Sequence, residues 1–265
     1  MPLNDTLNDR QRERYARHIS LQEIGEKGQV KLLKAKVLVI GAGGLGSPVA
    51  FYLAAAGIGT IGLMDGDKVD LSNLQRQILH TTDSIGVDKV TSAEQRLLDL
   101  DPDLKLTLYP FRLTADNAQK ILAPYDFVID ATDNFDSKFL ISRACHNAAK
   151  AYSHAGIREF YGQTMTVHPG TTACYHCLFH EEGVPAATIP KGPLGAVPGI
   201  IGSIQATEAI KHILSIGTPL TNTLLTCDTL TMTIRKIPLL RNPTCPLCSW
   251  RSGNTPLNIF SLNPS

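Results

Sequence analysis

Short apolar runs and longer amphipathic segments alternate over the first 155 residues of the chain. The runs have the length and composition of buried strands, and the segments between them repeat apolar residues at helical spacing. Strands are predicted at 36–41, 60–65, 105–111, 125–134 and 151–156, and helices at 47–57, 85–102, 116–124 and 137–150. This alternation predicts an α/β fold, with a mostly parallel sheet covered by helices on both faces.

The pattern changes on either side of this region. Residues 9–34 show helical spacing, with Gly25 and Gly28 interpreted as breaks. After residue 155 the sequence predicts antiparallel strands at 161–170, 221–228 and 230–239, a Gly/Pro-rich loop at 181–198 and a helix at 200–217. Because we find neither an internal repeat nor a linker, we expect one continuous domain over residues 1–265.

The overall composition excludes several classes of protein. Apolar residues make up 43% of the 265 residues, and the formal net charge is +1. Neither a nucleic acid nor a membrane is therefore expected as a partner. No apolar run reaches the roughly 18 to 20 residues that span a bilayer. Since the polar N-terminus does not have the pattern of a secretory signal, we expect a cytoplasmic protein.

A glycine-rich turn follows the first predicted strand and opens a helix. It reads Gly41-Ala-Gly43-Gly44-Leu-Gly46, and Asp65 ends the next strand. Glycines allow a tight turn and close approach of phosphates, the helix N-terminus offers free N–H groups, and the carboxylate suits a ribose. Alone, this pattern favours an NAD-dependent oxidoreductase.

The polar residues that follow favour a triphosphate instead of a nicotinamide ring. Asp67 leads into the segment Asp70-Leu-Ser72-Asn73-Leu-Gln75-Arg76-Gln77, and Lys89 lies farther along. Cationic groups neutralise phosphate charge during nucleotidyl transfer, whereas nicotinamide needs an apolar slot. Taken singly, Arg76 and Lys89 fit a solvated surface equally well.

Asp133, followed by Asn134, ends a later strand at the same predicted edge of the sheet. A carboxylate beside phosphate oxygens predicts a Mg²⁺ site. Asp133 alone would also fit the N-cap of the helix that begins near Phe135.

Four of the six cysteines form two CxxC pairs, Cys174/Cys177 and Cys245/Cys248. Two such pairs can supply four thiolates to a structural, tetrahedral Zn²⁺ site, although one pair alone would also fit a redox motif. The other two, Cys145 and Cys227, are predicted to be buried apolar residues within a helix and a strand.

Seven stretches, in order, resemble the MoeB/ThiF/HesA family, relatives of ubiquitin-activating enzymes. They are RYARHI, VLVIGAGGLGSP, DGDKVDLSNLQRQ with the later Lys89, DATDN, GPLGAVPGIIGSIQATEAIK and the two CxxC pairs. The resemblance implies a Rossmann-like, doubly wound sheet. It also implies ATP-dependent adenylation of the C-terminal Gly-Gly carboxylate of a ubiquitin-like sulfur-carrier protein, for thiamine or molybdopterin synthesis.

The resemblance also implies roles for individual residues. Catalysis is expected from Arg17, Arg76, Lys89 and Asp133, with Arg17 reaching the ATP of the other subunit of a homodimer. The expected ATP and Mg²⁺ site comprises Gly41, Gly43, Gly44, Asp65, Asp67, Ser72, Asn73, Gln75, Arg76, Lys89, Asp133 and Asn134. The implied division is 1–34 N-terminal helices, 35–155 nucleotide-binding half, 156–248 carrier-binding and zinc half, and 249–265 tail.

The chain departs from the family pattern in one loop. Many members carry a cysteine there, but this chain has Thr188 at about that position and no cysteine between Cys177 and Cys227. We therefore expect the enzyme to stop at the acyl-adenylate, with sulfur supplied by a persulfide donor such as a cysteine desulfurase or a rhodanese. A non-catalytic, zinc-stabilised binder of a ubiquitin-like protein stays as an alternative.

Overall fold

The computed structural model describes residues 6–180 and 192–249. Its helices are α1 (Asp9–Arg14), α2 (Ala16–Ile19), α3 (Gly25–Lys34), α4 (Gly46–Ala55), α5 (Lys89–Leu100), α6 (Ala115–Leu122), α7 (Phe135–Asn147), α8 (Tyr175–Leu178) and α9 (Ala196–Leu214). Its strands are β1 (Lys36–Ile40), β2 (Thr60–Met64), β3 (Lys105–Tyr109), β4 (Phe127–Asp130), β5 (Tyr152–Arg158), β6 (Tyr161–Val167), β7 (Thr223–Asp228) and β8 (Thr233–Pro238).

The eight strands form one sheet in the order β3-β2-β1-β4-β5-β6-β7-β8. The first five are parallel and the last three are antiparallel extensions. The direction of winding reverses at β1, because β2 lies on one side and β4 on the other. Ligands of open parallel sheets bind at the carboxyl ends of the strands beside such a reversal. The predicted mixed α/β fold is confirmed.

Two apolar cores lie on opposite faces of the sheet, as the alternation along β1 requires. Val37 and Val39 pack in the core that α4, α5 and α9 help to form. Leu38 and Ile40 pack in the other core, with residues of α6 and α7. Together these layers hold the carboxyl ends of β1, β2 and β4 in fixed register, with Ile40 opposite both Met64 and Asp130.

The N-terminal helices differ from the expectation at one glycine. Gly28 lies inside α3 and is buried, so its interpretation as a break is wrong. A Cβ there would lie 3.1 Å from Ile24 Cγ2, so the absent side chain lets the preceding turn pack closely. Gly25 begins α3 with a φ of +58°, which suits a glycine at a change of direction. Among the described residues, no helix is long and apolar enough to cross a bilayer.

Candidate active site and metal centre

The glycine turn between β1 and α4 combines two kinds of glycine. Gly41 has a φ of +101°, and a Cβ there would lie 2.6 Å from the Ala131 carbonyl oxygen. Gly46 is equally constrained, because a Cβ would collide with the Gly41 carbonyl. At Gly43 and Gly44, however, a Cβ would meet protein atoms only at 3.5 and 3.4 Å. Since both line an open cavity, their missing side chains leave room for a ligand, as a phosphate-binding turn requires.

The cavity has a volume of about 350 Å³ and lies at the carboxyl ends of β1, β2 and β4. Most of the predicted nucleotide site lines it: Gly41, Gly43, Gly44, Asp65, Asp67, Arg76, Lys89, Asp133 and Asn134. A pocket of this size at the reversal of strand order is where a nucleotide is expected.

Lys89 brings a buried cation to this cavity. It is the first residue of α5, and its backbone N–H donates to the Asp67 carbonyl at 3.0 Å. The ammonium lies 3.3 Å from Asp67 Oδ2 and 3.9 Å from Asp65 Oδ2, with the side chain 7% exposed. Asp65 Oδ2 also accepts from the Ala42 N–H at 2.8 Å and thereby braces the glycine turn. A fixed cation of low solvent exposure is suited to neutralising phosphate charge.

Arg112, which the sequence did not single out, also lines the cavity. Its guanidinium donates to Asp67 Oδ1 at 2.9 Å. Partial burial favours the protonated form of Asp67, but the Arg112 hydrogen bond and the charge of Lys89 outweigh it and lower the pKa of Asp67. Asp67 is therefore an ionised bridge between two cations. It sets the position of Lys89 beside the turn.

Asp133 presents an exposed carboxylate at the end of the turn after β4. The N-cap of α7 is Asn134, whose Oδ1 accepts from the Ser137 N–H at 2.9 Å, so the alternative of Asp133 as the cap is wrong. Asn134 Nδ2 lies 3.5 Å from Asp133 Oδ1, a weak contact that leaves the carboxylate lone pairs accessible. A carboxylate of this kind is a suitable Mg²⁺ ligand.

Four predicted residues do not line this cavity in the described part of the chain: Arg17, Ser72, Asn73 and Gln75. Ser72 donates to Asp70 Oδ1, the N-cap of a short 3-10 helix, and Gln75 packs against Gly195. Their nucleotide roles stay predictions. Gln77 lines the cavity instead, buried and with an Oε1 that lacks a partner among the described residues. Gln77 is the last residue of the LSNLQRQ segment. Its place in this polar segment is the only signal for it in the sequence.

The four predicted zinc ligands come together at a second centre. Their sulfur atoms all lie within 4.8 Å of one another. Cys174 Sγ is 3.8 Å from Cys177 Sγ and 3.6 Å from Cys245 Sγ, and Cys177 Sγ is 3.2 Å from Cys248 Sγ. These separations exceed a disulfide bond of about 2.05 Å. They approach the ~3.8 Å between ligands of tetrahedral zinc at about 2.3 Å. The donor set therefore fits a closed structural zinc site.

Comparison with known proteins identifies the family. The ThiF family model matches residues 15–247. The chain belongs to the ThiF family. It is 42% identical over 245 residues to the sulfur carrier protein adenylyltransferase of Thermus thermophilus, covering 89% of this chain and 90% of the relative. It is 41% identical over 247 residues to the SAMP-activating enzyme E1 of Haloferax volcanii, covering 92% and 91%. The predicted family is confirmed.

A solved structure of Escherichia coli MccB with ATP has the same fold. It superimposes on this ThiF family member with a TM-score of 0.78 and 26% sequence identity, covering 89% of this chain and 74% of MccB.

In this ThiF family member, a buried ionic network lies beside the turn after β4, which carries Asp133. The sequence did not indicate this network. Asp130 Oδ1 accepts from the Thr132 N–H at 3.1 Å, and Lys138 Nζ donates to both Asp130 oxygens at 3.3 Å. Lys138 also donates to the carbonyls of Thr132 and Ala155. Burial alone would raise the pKa of Asp130, but the charge of Lys138 and the His154 hydrogen bond lower it to about 2. The network fixes the turn that carries Asp133.

Proposed function

We propose that this chain adenylates the C-terminal carboxylate of a small ubiquitin-like sulfur-carrier protein, with ATP as the nucleotidyl donor. The observation that carries the proposal is the 350 Å³ cavity in which Lys89, Arg76 and Asp133 surround the glycine turn. The Thermus thermophilus relative is named a sulfur carrier protein adenylyltransferase, and the MccB structure of the same fold was determined with ATP. The cavity's cations suit a triphosphate better than a nicotinamide ring.

The chemistry is an exchange at the α-phosphorus. One carboxylate oxygen of the carrier forms a new bond to this phosphorus, and the bond to the β-phosphate oxygen breaks, so that pyrophosphate leaves. The product is an acyl-adenylate. Because a carboxylate is already a nucleophile, the enzyme has no proton to remove. Its residues align the reactants and neutralise the charge on the phosphate oxygens.

Each group that lines the cavity has its own proposed role in binding or neutralising the nucleotide. The glycine turn and the N-terminus of α4 hold the phosphates, and Lys89 and Arg76 neutralise them. Asp133 would hold Mg²⁺, since its carboxylate does not cap α7. Bound there, Mg²⁺ would supply positive charge to the phosphate oxygens. Asp65, already bonded to Ala42, keeps lone pairs that can accept from a ribose hydroxyl.

The proposed assembly is a homodimer in which Arg17 serves the site of the other subunit. Arg17 is exposed on α2, and it does not line the cavity of its own chain, as an arginine that acts on a neighbouring site requires. We assign residues 35–155 to nucleotide binding and 156–248 to the carrier and the zinc site. The carrier's tail would pass under the segment 181–198, of which residues 181–191 lie outside the described residues.

The proposal is tested by mixing the purified protein with ATP, Mg²⁺ and a thiamine-type or molybdopterin-type carrier. Pyrophosphate release is expected with at least one carrier, and none with a carrier that lacks its last two glycines. Failure of every carrier, together with binding of NAD in preference to ATP, would favour the oxidoreductase. Binding of a carrier without pyrophosphate release would favour the non-catalytic binder.

The same reaction reports on the sulfur step. With a persulfide donor added, intact-protein mass spectrometry without reductant should show carrier thiocarboxylate and no enzyme–carrier adduct. The physical reason is the chain's lack of a thiol near Thr188, which lies outside the described residues. Cys145 and Cys227 are both buried, and burial raises the pKa of the Cys145 thiol well above its ordinary value. An adduct that disappears in Cys145→Ala would contradict this.

Structural zinc on the four-cysteine centre gives a separate prediction. Metal analysis should find about one zinc per chain, and a chelator should lower the unfolding temperature, because the metal joins the segment after β6 to the segment after β8. Cys177→Ser should lose both the zinc and the sensitivity to chelator. Cys145→Ala, which removes a buried thiol outside the centre, is the matched control and should keep both. A metal-free preparation with undiminished thermal stability would overturn the assignment.

A further inference from the structure

A second cavity, of about 280 Å³, lies directly beside the nucleotide cavity. The two share Thr132, Asp133, Asn134 and Ile157 as a common wall. A carrier whose carboxylate reaches the α-phosphate needs an adjoining channel for the residues that precede it. The second cavity has this position, because Asp133, the proposed Mg²⁺ ligand, lines both cavities.

His154 lines this second cavity and is 1% exposed. Its Nδ1 lies 2.9 Å from Asp130 Oδ2. Asp130 is ionised and can only accept, so Nδ1 carries the proton that it donates. Burial and the charge of Lys138 lower the pKa of His154, despite the opposing effect of Asp130. The ring is therefore neutral, and its Nε2 is a hydrogen-bond acceptor.

No described residue supplies a partner for this acceptor. Nε2 of His154 is buried without a hydrogen bond to any of the described residues. Such an atom is costly to bury unless a ligand or water completes it. Aromatic and aliphatic side chains, including Ile157, Tyr175 and Phe179, form one part of the cavity wall, and polar side chains such as Asn134 and Gln163 form another. A neutral, unpartnered acceptor beside the apolar part of this wall suits a ligand that offers an N–H group.

We propose that His154 Nε2 accepts a hydrogen bond from a backbone N–H of the carrier's terminal glycines, where the carrier tail passes through the second cavity. The inference rests on the proposed adenylation. A Gly-Gly tail has no side chains, so backbone N–H and C=O are the only polar groups that it offers. A neutral imidazole acceptor selects the N–H. His154 is thus a substrate-binding residue that helps to align the carboxylate with the nucleotide.

The first test changes the substrate and leaves the enzyme intact. Carriers are made by semisynthesis with N-methylglycine in place of the last or the penultimate glycine, which removes one N–H at a time. One of the two should raise the KM for the carrier about tenfold, with the KM for ATP within twofold of its normal value. Equal, small effects at both positions would overturn the proposal.

The second test combines these carriers with enzyme variants. His154→Phe should raise the KM for the normal carrier about tenfold, and N-methylation should then cause less than a twofold further change. His154→Gln, whose side-chain oxygen can replace Nε2 as acceptor, should recover most of the loss. His168→Phe is the matched control, because His168 Nε2 is also buried and unpartnered among the described residues but lines neither cavity.

The outcomes separate this inference from the proposed function. If no carrier supports pyrophosphate release, the adenylation itself is wrong. If release is normal but His154→Phe leaves the KM for the carrier unchanged, the adenylation is supported and the proposed His154 contact is wrong. This result is expected if Nε2 binds only a structural water. An equal N-methyl penalty in the wild-type enzyme and in His154→Phe would show steric exclusion instead of a lost hydrogen bond, and would also overturn it.

Discussion

Lys89→Met is expected to lower kcat/KM for pyrophosphate release by roughly 30- to 150-fold, equivalent to about 2 to 3 kcal/mol of transition-state stabilisation. Methionine retains most of the length of the apolar stem and removes the charge. Lys89 is nearly buried beside the glycine turn, so its charge is poorly screened by solvent, and water cannot replace it. The variant should stay folded, because Asp67 keeps its ion pair with Arg112.

Lys68→Met is the matched control for this experiment. Lys68 is also paired with an aspartate, its Nζ lying 3.1 Å from Asp88 Oδ1, but its side chain is 68% exposed and does not line the cavity. Its kcat/KM should stay within twofold of the wild-type value, since exposed ion pairs contribute little. Equal rates for both variants and the wild-type enzyme, with native circular dichroism, would remove Lys89 from the proposed mechanism.

The sheet and the glycine turn could be predicted because their causes are local. The apolar runs of β1, β2 and β4 need only their own composition to indicate buried strands. Gly41 and Gly46 are required by the turn itself, since Gly41 has a φ of +101° and a side chain at Gly46 would collide with the Gly41 carbonyl. The carboxyl ends of neighbouring parallel strands meet at one edge, so Asp65 and Asp133 could be placed near the turn from strand order alone.

The rest of the site depends on which distant segments pack against one another. The periodicity of the sequence does not give this information. Arg112 follows β3 in an unremarkable segment, and only the pairing of β2 with β3 brings it to Asp67. In the polar segment before Lys89, Gln77 lines the cavity and Gln75 does not. Residue type alone could not distinguish these two glutamines.

The buried network of Asp130, Lys138 and His154 could not be predicted from the sequence for the same reason. Lys138 is buried on α7, only eight residues after Asp130, which ends β4, yet neither helical nor strand spacing relates a residue of the strand to one of the helix. The pairing of β4 with β5 then brings His154 against the same carboxylate. Buried charges are expected to be paired. The sequence does not reveal which aspartate is buried, so it does not reveal which lysine and histidine must accompany it.

Mixing Arg17→Ala with Asp133→Ala is expected to restore adenylation that each variant lacks alone. In a mixed dimer one active site receives both damaged groups, and the other keeps Asp133 of one subunit and Arg17 of its partner. After free exchange about half of the dimers are mixed, so about a quarter of all sites should be intact. Pyrophosphate release should therefore rise from near background to about a quarter of the wild-type rate.

A second mixture of variants is the control. It shows whether recovery requires a site shared between subunits or occurs whenever two weakly active variants are mixed. Lys89→Met and Asp133→Ala alter groups that line the cavity of the same chain, so both damaged groups act in cis. Each site of their mixed dimer carries one defect, and the mixture should recover nothing. Exchange is verified by native mass spectrometry of differently tagged subunits. Recovery in the first mixture and not in the second requires Arg17 to act across the dimer. If verified exchange restores neither, Arg17 acts within its own chain or outside the site, since a lost cis residue cannot be supplied by its partner.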